Sequence, residues 1–405
     1  MGTLAIIVGI ICLCSQAFGV SAQNTDSVNG NNTRCYDQLG CLDLGPPWYT
    51  PKRLVPVPGS IEDVGTDFQL FSRHFEGSVV VNEWPNVSIE RNVNVTFNLP
   101  IVVIIHGFYA SAKGDWLHEL KDAYLEKKDV NVLIVDWSEG AAPPKYLLAV
   151  SNTRVVAREI SRVLRYFSKQ GANLSETHCI GHSLGAHICG YVAKELKAEG
   201  TLIKECTGLD AAQPGFELAD ESVRLHEGDA KFVVGIHTNA APLIPFLGFG
   251  IMRQFGDVDF YFNEQVTQPG CVRNSAAEAV ANITDLTDLA AVPWEFVAEH
   301  SACSHGRACL YYIEAIKGPC VFWGQRLPDI ERILTKVPVL NRLMPFANDQ
   351  CTNDTCIPVG FDTSRYSYRG AAFVRTNSQP NFCDPEEAKQ IWSGDRFNLL
   401  SPFSS

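Results

Sequence analysis

Four short runs of apolar, largely β-branched residues punctuate the chain: Ile101 to Ile105, Val132 to Val135, Cys179 to Ile180 and Phe232 to Ile236. None alternates with polar residues, which is the pattern of strands covered on both faces rather than strands with one face in water. Between the runs, Val155, Val156, Ile160, Val163, Leu164 and Phe167 recur at a spacing that paints one face of a helix. Strand and helix therefore alternate, which predicts an α/β fold with a central, mostly parallel sheet flanked by helices. No internal repeat, low-complexity tract or interdomain linker breaks the pattern up to about Tyr312. Beyond about Gly318 the sequence reads as an irregular, cysteine-containing extension of the same domain.

The first apolar run is of another kind. Leu4 to Cys14 is followed by the small-residue stretch Val20-Ser21-Ala22, as in a secretory signal peptide, which predicts removal of residues 1–22 and a mature domain over 23–405. That run is too short to span a bilayer. Of 14 cysteines, Cys12 and Cys14 leave with the signal. The remainder are even in number, in an export context that favours disulfides. Cys35 with Cys41 and Cys351 with Cys356 are close enough in sequence for local pairs, Cys179, Cys189 and Cys206 read as buried thiols, and the partners of Cys309, Cys320 and Cys383 stay open. N-x-S/T sequons at Asn31, Asn86, Asn94, Asn173, Asn282 and Asn353 suit a secreted, extracellular glycoprotein. The 33 Lys and Arg against 45 Asp and Glu leave a formal charge of -12, which argues against nucleic acid and against an anionic membrane surface.

Chemistry concentrates at Gly181-His182-Ser183-Leu184-Gly185, which lies between the strand-like run at Cys179 and a helical stretch from Ala186 to Leu196. A serine exposed on a sharp strand-to-helix turn needs small neighbours, because the bent backbone brings flanking residues together. Its hydroxyl is a weak nucleophile until an imidazole takes its proton and a carboxylate orients that imidazole. In this arrangement the chain order is serine, acid, histidine, and Asp210 follows the next strand-like segment, Thr207-Gly208-Leu209. The histidines after it are His226, His237, His300 and His305. His226 falls in a polar turn and His237 at a strand end, so His300 and His305 remain level as candidates for the base. An oxyanion hole requires two backbone N–H groups, one from the residue after the nucleophile, here Leu184, and one from the turn after an earlier strand. His106-Gly107-Phe108 follows Ile101 to Ile105 directly, which makes the Phe108 N–H the second donor.

These stretches, with Cys35 to Cys41, Val135-Asp136-Trp137, Gly181 to His187, Thr207 to Asp210 and Leu243 to Gly250, resemble the pancreatic lipase family of α/β-hydrolases. The family also takes in lipoprotein lipases and venom phospholipases of the A1 class. The resemblance runs from Cys35 to about Tyr312. It implies a catalytic triad of Ser183, Asp210 and His305, because Ala302-Cys303-Ser304-His305 matches the segment that bears the family's histidine. It also implies the Phe108 and Leu184 oxyanion donors, and a lid closed by Cys271 and Cys303. The enclosed segment carries Val280, Ile283, Leu286 and Leu289 at near-helical spacing, then Trp294, Phe296 and Val297, with Glu278, Asn282 and Asp285 opposite. A long lid and the apolar loop Ala240 to Ile251 resemble the triacylglycerol lipases more than the venom enzymes.

Two departures matter. The family holds one structural calcium through a Glu side chain, an Arg carbonyl and two Asp residues; Glu221, Arg224 and Asp229 match, but His226 replaces one Asp. A hard cation prefers oxygen ligands, which weakens the case for calcium. No other cofactor is required. The chain also ends without room for the C-terminal β-sandwich of the vertebrate enzymes, so no docking of a colipase is expected. The function implied is a secreted carboxylic ester hydrolase acting on acylglycerols at lipid interfaces through an acyl-enzyme. Phospholipids are the alternative substrate, and a lipid-binding or storage protein on the same scaffold is the alternative outside catalysis.

Overall fold

A computed structural model describes residues 28–29, 32–82, 86–89, 93–241, 248–263, 267–271, 294–326 and 356–383, with the side chains of 28–29 and 294–301 excepted. The expected signal peptide, residues 1–22, and the apolar positions from Val280 to Leu289 of the expected lid lie outside the described residues, as do Cys351 and positions 242–247 of the Ala240 to Ile251 loop.

A small three-stranded sheet comes first, from β1 (Val28–Asn29), β2 (Thr33–Tyr36) and β3 (Gly40–Asp43). Cys35 and Cys41 are bonded across β2 and β3, where they face each other in register. The main sheet has twelve strands among the described residues: β4 (Asp67–Ser72), β5 (Val79–Asn82), β6 (Ser88–Ile89), β7 (Ile101–Ile105), β8 (Asn131–Asp136), β9 (His178–His182), β10 (Glu205–Leu209), β11 (Phe232–His237), β12 (Val258–Phe262), β13 (Trp323–Arg326), β14 (Cys356–Pro358) and β15 (Gly370–Val374). Its spatial order is β14-β13-β15-β12-β11-β10-β9-β7-β8-β4-β5-β6. The inner run from β15 to β8 is parallel throughout, and antiparallel strands close both flanks. The chain thus has the α/β-hydrolase fold, with a large, mostly parallel central sheet.

Two apolar layers explain the uninterrupted runs. Ile101, Val103 and Ile105 of β7 face helices α2 (Tyr146–Lys169) and α3 (Leu184–Ala198), whereas Val102 and Ile104 face α1 (Asp115–Lys127) and α4 (Trp294–Lys317). The stripe Val155, Val156, Ile160, Val163, Leu164 and Phe167 of α2 is buried, as its spacing predicts. Among the described residues no helix is long and apolar enough to cross a membrane.

Two sequence expectations need correction. The segment after Gly318 is not simply irregular: it supplies β13, β14 and β15, and β15 pairs parallel with β12 inside the sheet. β13 and β14 are too short to print a clear period, and β15 begins with Gly370, Ala371 and Ala372, which do not read as a β-branched apolar run. Cys179 and Cys189 are not thiols but a disulfide, because the sharp turn between β9 and α3 folds the helix back over its own strand and brings the two Cα atoms to 5.6 Å. Cys206 and Cys309 are free and buried. Cys320 is bonded to Cys383, Cys271 to Cys303, and Cys356 is also disulfide-bonded.

A polar cluster is sealed under the amino edge of the sheet. His178 Nε2 lies 2.8 Å from Thr207 Oγ1, and the Tyr124 hydroxyl is 3.1 Å from His178 Nδ1 and 3.0 Å from the Tyr312 hydroxyl. Glu205 opens β10 beside them, and burial pushes its carboxyl up to about 7. A carboxyl that titrates higher in the folded chain than in the unfolded one penalises folding once it must ionise. Stability at this site is therefore lost as pH rises through the carboxylate range to about 7. Glu205→Gln is expected to raise the unfolding free energy at pH 8 by up to about 3 kcal/mol relative to the parent, and by much less at pH 4, measured by denaturant unfolding at both pH values.

Candidate active site

The chain leaves β7 towards β8 on one side of the sheet, and from β9 onwards it builds the other side. The carboxyl ends of β7 and β9 therefore flank a crevice at the point where the strand order reverses, which is where open α/β sheets bind their ligands. The turns after these strands carry Gly107-Phe108 and Ser183.

Ser183 sits between β9 and α3 with φ 57° and ψ -118°, a conformation that costs a non-glycine residue about 1–3 kcal/mol. Close packing holds it there. A Cβ on Gly181 would lie 2.1 Å from the Gly185 carbonyl carbon and oxygen, and one on Gly185 would lie 2.4 Å from the Ile105 carbonyl oxygen. Both glycines of the motif are thus sites where backbone meets backbone. The Ser183 N–H donates to the Leu209 carbonyl at 3.0 Å, and its carbonyl accepts the Ala212 N–H at 3.1 Å, which ties the turn to β10 and to the loop beyond it.

That loop begins with Asp210, which is fully buried. Its Oδ1 accepts N–H bonds from Thr238 at 2.8 Å and Asn239 at 3.0 Å, leaving Oδ2 to take His305 Nδ1 at 2.6 Å. His305 lies on α4, so the structure brings it, and not His226 or His237, to the acid. His226 contacts Glu221, with Nε2 3.1 Å from Oε1, and buried His237 is held by Asp259 at 2.7 Å. The His300 side chain lies outside the described residues. His182 packs its ring 4.5 Å from that of His305 and directs Nε2 to the His305 carbonyl at 3.2 Å. Burial, with the neighbouring His305, pushes His182 down to about 3.

The two backbone N–H groups are placed by different means. Leu184 is the first residue of α3, where an N–H has no acceptor within the helix. Phe108 shares its peptide with the Gly107 carbonyl, which lies 2.9 Å from His106 Nδ1. In a trans peptide the N–H points away from the C=O, so fixing that carbonyl on buried His106 turns the Phe108 N–H to the opposite side. His106 is itself held by the Trp137 N–H, which donates to its Nε2 at 3.0 Å, and by the Trp137 indole N–H, which donates to its carbonyl at 2.9 Å. A Cβ on Gly107 would fall 2.7 Å from Ser183 Cβ, so the two turns touch.

Several supporting residues escape sequence reasoning. Gln268 donates to the Thr238 and Phe262 carbonyls at 2.8 and 2.9 Å, and its N–H reaches the hydroxyl of Ser304, the neighbour of His305, at 2.9 Å. His187 Nε2 lies 2.8 Å from the Ala212 carbonyl while Nδ1 accepts the Leu225 N–H at 3.1 Å. Only its place in the Gly181 to His187 stretch could have drawn attention to it, since a lone helical histidine has no local signature. Glu221, Arg224, His226 and Asp229 occupy a loop against α3. There Lys194 Nζ lies 2.8 Å from the Arg224 carbonyl and 2.5 Å from Asp229 Oδ2. Among the described residues, no group of three or more His, Cys, Asp and Glu side chains is disposed to hold a metal ion.

A family model described as Lipase matches residues 32–382. Pancreatic triacylglycerol lipase of Myocastor coypus is 34% identical over 293 residues, covering 72% of this chain and 61% of that protein. Pancreatic lipase-related protein 2 of Sus scrofa is 32% identical over 358 residues, covering 86% of this chain and 71% of its own length. The Homo sapiens protein named inactive pancreatic lipase-related protein 1 is 36% identical over 288 residues, covering 70% of this chain and 59% of that protein. This chain thus matches between 59% and 71% of the length of these three relatives. With the match extending over most of its length, the chain belongs to the pancreatic lipase family.

Proposed function

We propose that this chain is a secreted serine ester hydrolase that cleaves acylglycerols at lipid interfaces. The observation that carries the reading is the 2.6 Å contact between Asp210 Oδ2 and His305 Nδ1, with Ser183 held on its strained turn in the same crevice. Asp210 keeps a proton on Nδ1, so Nε2 is free to take the proton of the Ser183 hydroxyl as its oxygen adds to the ester carbonyl. The N–H groups of Phe108 and Leu184 receive the oxyanion. His305 then passes the proton to the departing alcohol, and water cleaves the acyl-enzyme by the same route reversed. The coypu relative is named a triacylglycerol lipase. Another relative is named inactive, so membership of the family does not by itself decide activity.

The deciding experiment measures fatty-acid release by the secreted protein from emulsified triacylglycerol and from phosphatidylcholine vesicles. Release from the emulsion, reduced about 10⁴-fold or more in Ser183→Ala, is the expected result. Release chiefly from vesicles would move the substrate to phospholipid, and none from either, by folded protein, would favour lipid binding. Asp210→Asn preserves the shape of the side chain but favours the wrong imidazole tautomer, so kcat is expected to fall about 10⁴-fold, as read in the same assay. His106→Ala frees the Gly107 peptide; kcat is expected to fall about 10- to 100-fold with a smaller change in KM, because the oxyanion donor acts chiefly in the transition state.

A further inference from the structure

We propose that the Lys194 ammonium is a built-in substitute for a structural divalent cation, pinning the 221–229 loop to α3 without calcium. By resemblance, the oxygens that would ligate calcium here are the Arg224 carbonyl and the carboxylates of Glu221 and Asp229, with His226 in place of a further carboxylate. In the structure each of these four positions already has a protein partner. Lys194 Nζ donates to the Arg224 carbonyl at 2.8 Å and to Asp229 Oδ2 at 2.5 Å, reaching them from the third turn of α3. Asp229 Oδ2 also accepts the His226 N–H at 2.9 Å. Glu221 does not turn inward: its Oε1 lies 3.1 Å from His226 Nε2, and its side chain is 63% exposed.

The residues present therefore do not fit the ion. A calcium needs six to eight oxygens at about 2.3–2.6 Å, and an ammonium group stands within hydrogen-bonding reach of two of those available. Charge gives a further reason. With His226 where the family has an Asp, the cluster holds one carboxylate fewer, and an ammonium carries one positive charge fewer than a divalent ion. Either alone would leave a half-buried charge unbalanced, which is costly.

The position of the cluster gives the exchange a consequence for the site. The loop lies directly on α3, since a Cβ on Gly190 would sit 2.9 Å from the Leu225 Cα. Leu225 donates its N–H to His187, which reaches on to the Ala212 carbonyl two residues past Asp210. Lys197, one turn after Lys194, adds a second anchor by donating to the Gly228 carbonyl at 2.7 Å. Helix α3, which begins at Leu184, is thus braced from its outer side by side chains of its own.

This inference stands apart from the ester-hydrolase reading, and its test needs no substrate. Calcium content is measured by elemental analysis of the purified secreted chain, and the unfolding midpoint is followed with EDTA and with millimolar calcium. The expected result is no stoichiometric calcium and the same Tm in both media. One calcium per chain, or a Tm that falls in EDTA and recovers with calcium, would overturn the proposal. A second arm uses Lys194→Ala alone and together with His226→Asp. The single variant should lose about 3–6 °C in Tm. The double variant, with its carboxylate restored and its ammonium removed, should regain Tm in millimolar calcium. A single variant with unchanged Tm, or a folded double variant indifferent to calcium, would count against the exchange. If neither variant is secreted, the calcium content and Tm of the parent chain decide.

Discussion

A serine backbone held at φ 57° survives only where its surroundings leave no room to relax, and the whole carboxyl edge of this sheet is arranged around that requirement. The elbow is clamped from three directions. Beneath, Gly181 and Gly185 let the strand and helix touch backbone to backbone, and Gly185 rests against the end of β7. Beside it, hydrogen bonds from the Ser183 peptide reach β10 and the loop after Asp210. Behind it, the Cys179–Cys189 disulfide ties the strand and the helix that meet at the turn. Strain at one residue is thus offset by packing spread over several elements.

The same packing brings the other groups together. Since β7 and β9 are neighbours on either side of the switch in strand order, the turn bearing Phe108 touches the turn bearing Ser183 without any long loop. Since β10 lies next to β9, Asp210 emerges one strand away, and α4, crossing on the opposite face, brings His305 to it. Ser183, Asp210 and Phe108 stand just past strand ends and His305 in the middle of α4, so regular elements hold all four, which suits a site that must hold tenths of an ångström. Histidines serve as spacers at several points. Buried His106, His187 and His237 each join backbone or carboxylate groups of separate segments through their two ring nitrogens, and half-buried His182 joins β9 to α4 through Nε2 and a tilted ring contact with His305.

Legibility in the sequence followed the range of the interaction. The parallel strands β7, β8, β9 and β11 were readable because burial on both faces writes itself as a continuous apolar run, and helix α2 because the apolar residues it gives to the core recur with a period of 3.6. The elbow was readable because its steric demand falls on residues two positions from the serine. Asp210 could be placed from the strand before it, and residue chemistry alone left His300 and His305 level until the resemblance favoured His305. Strands β12 and β13 to β15 escaped: Asp259 interrupts the apolar run of β12, β15 opens on the small residues Gly370, Ala371 and Ala372, and β13 and β14 are only four and three residues long.

What the sequence by itself determined, then, was the alternation of strand and helix, the turn that exposes Ser183, and the residue types from which an acyl-transfer site could be assembled. Tertiary structure decided which histidine meets Asp210, that Cys179 pairs with Cys189 while Cys206 stays reduced, and that Lys194 fills the loop at Arg224 and Asp229. The physical reason is common to all three. Each depends on side chains from separate elements converging to within a few ångströms, and such a distance is set by the packing of the sheet and its helices rather than by any local preference of the chain.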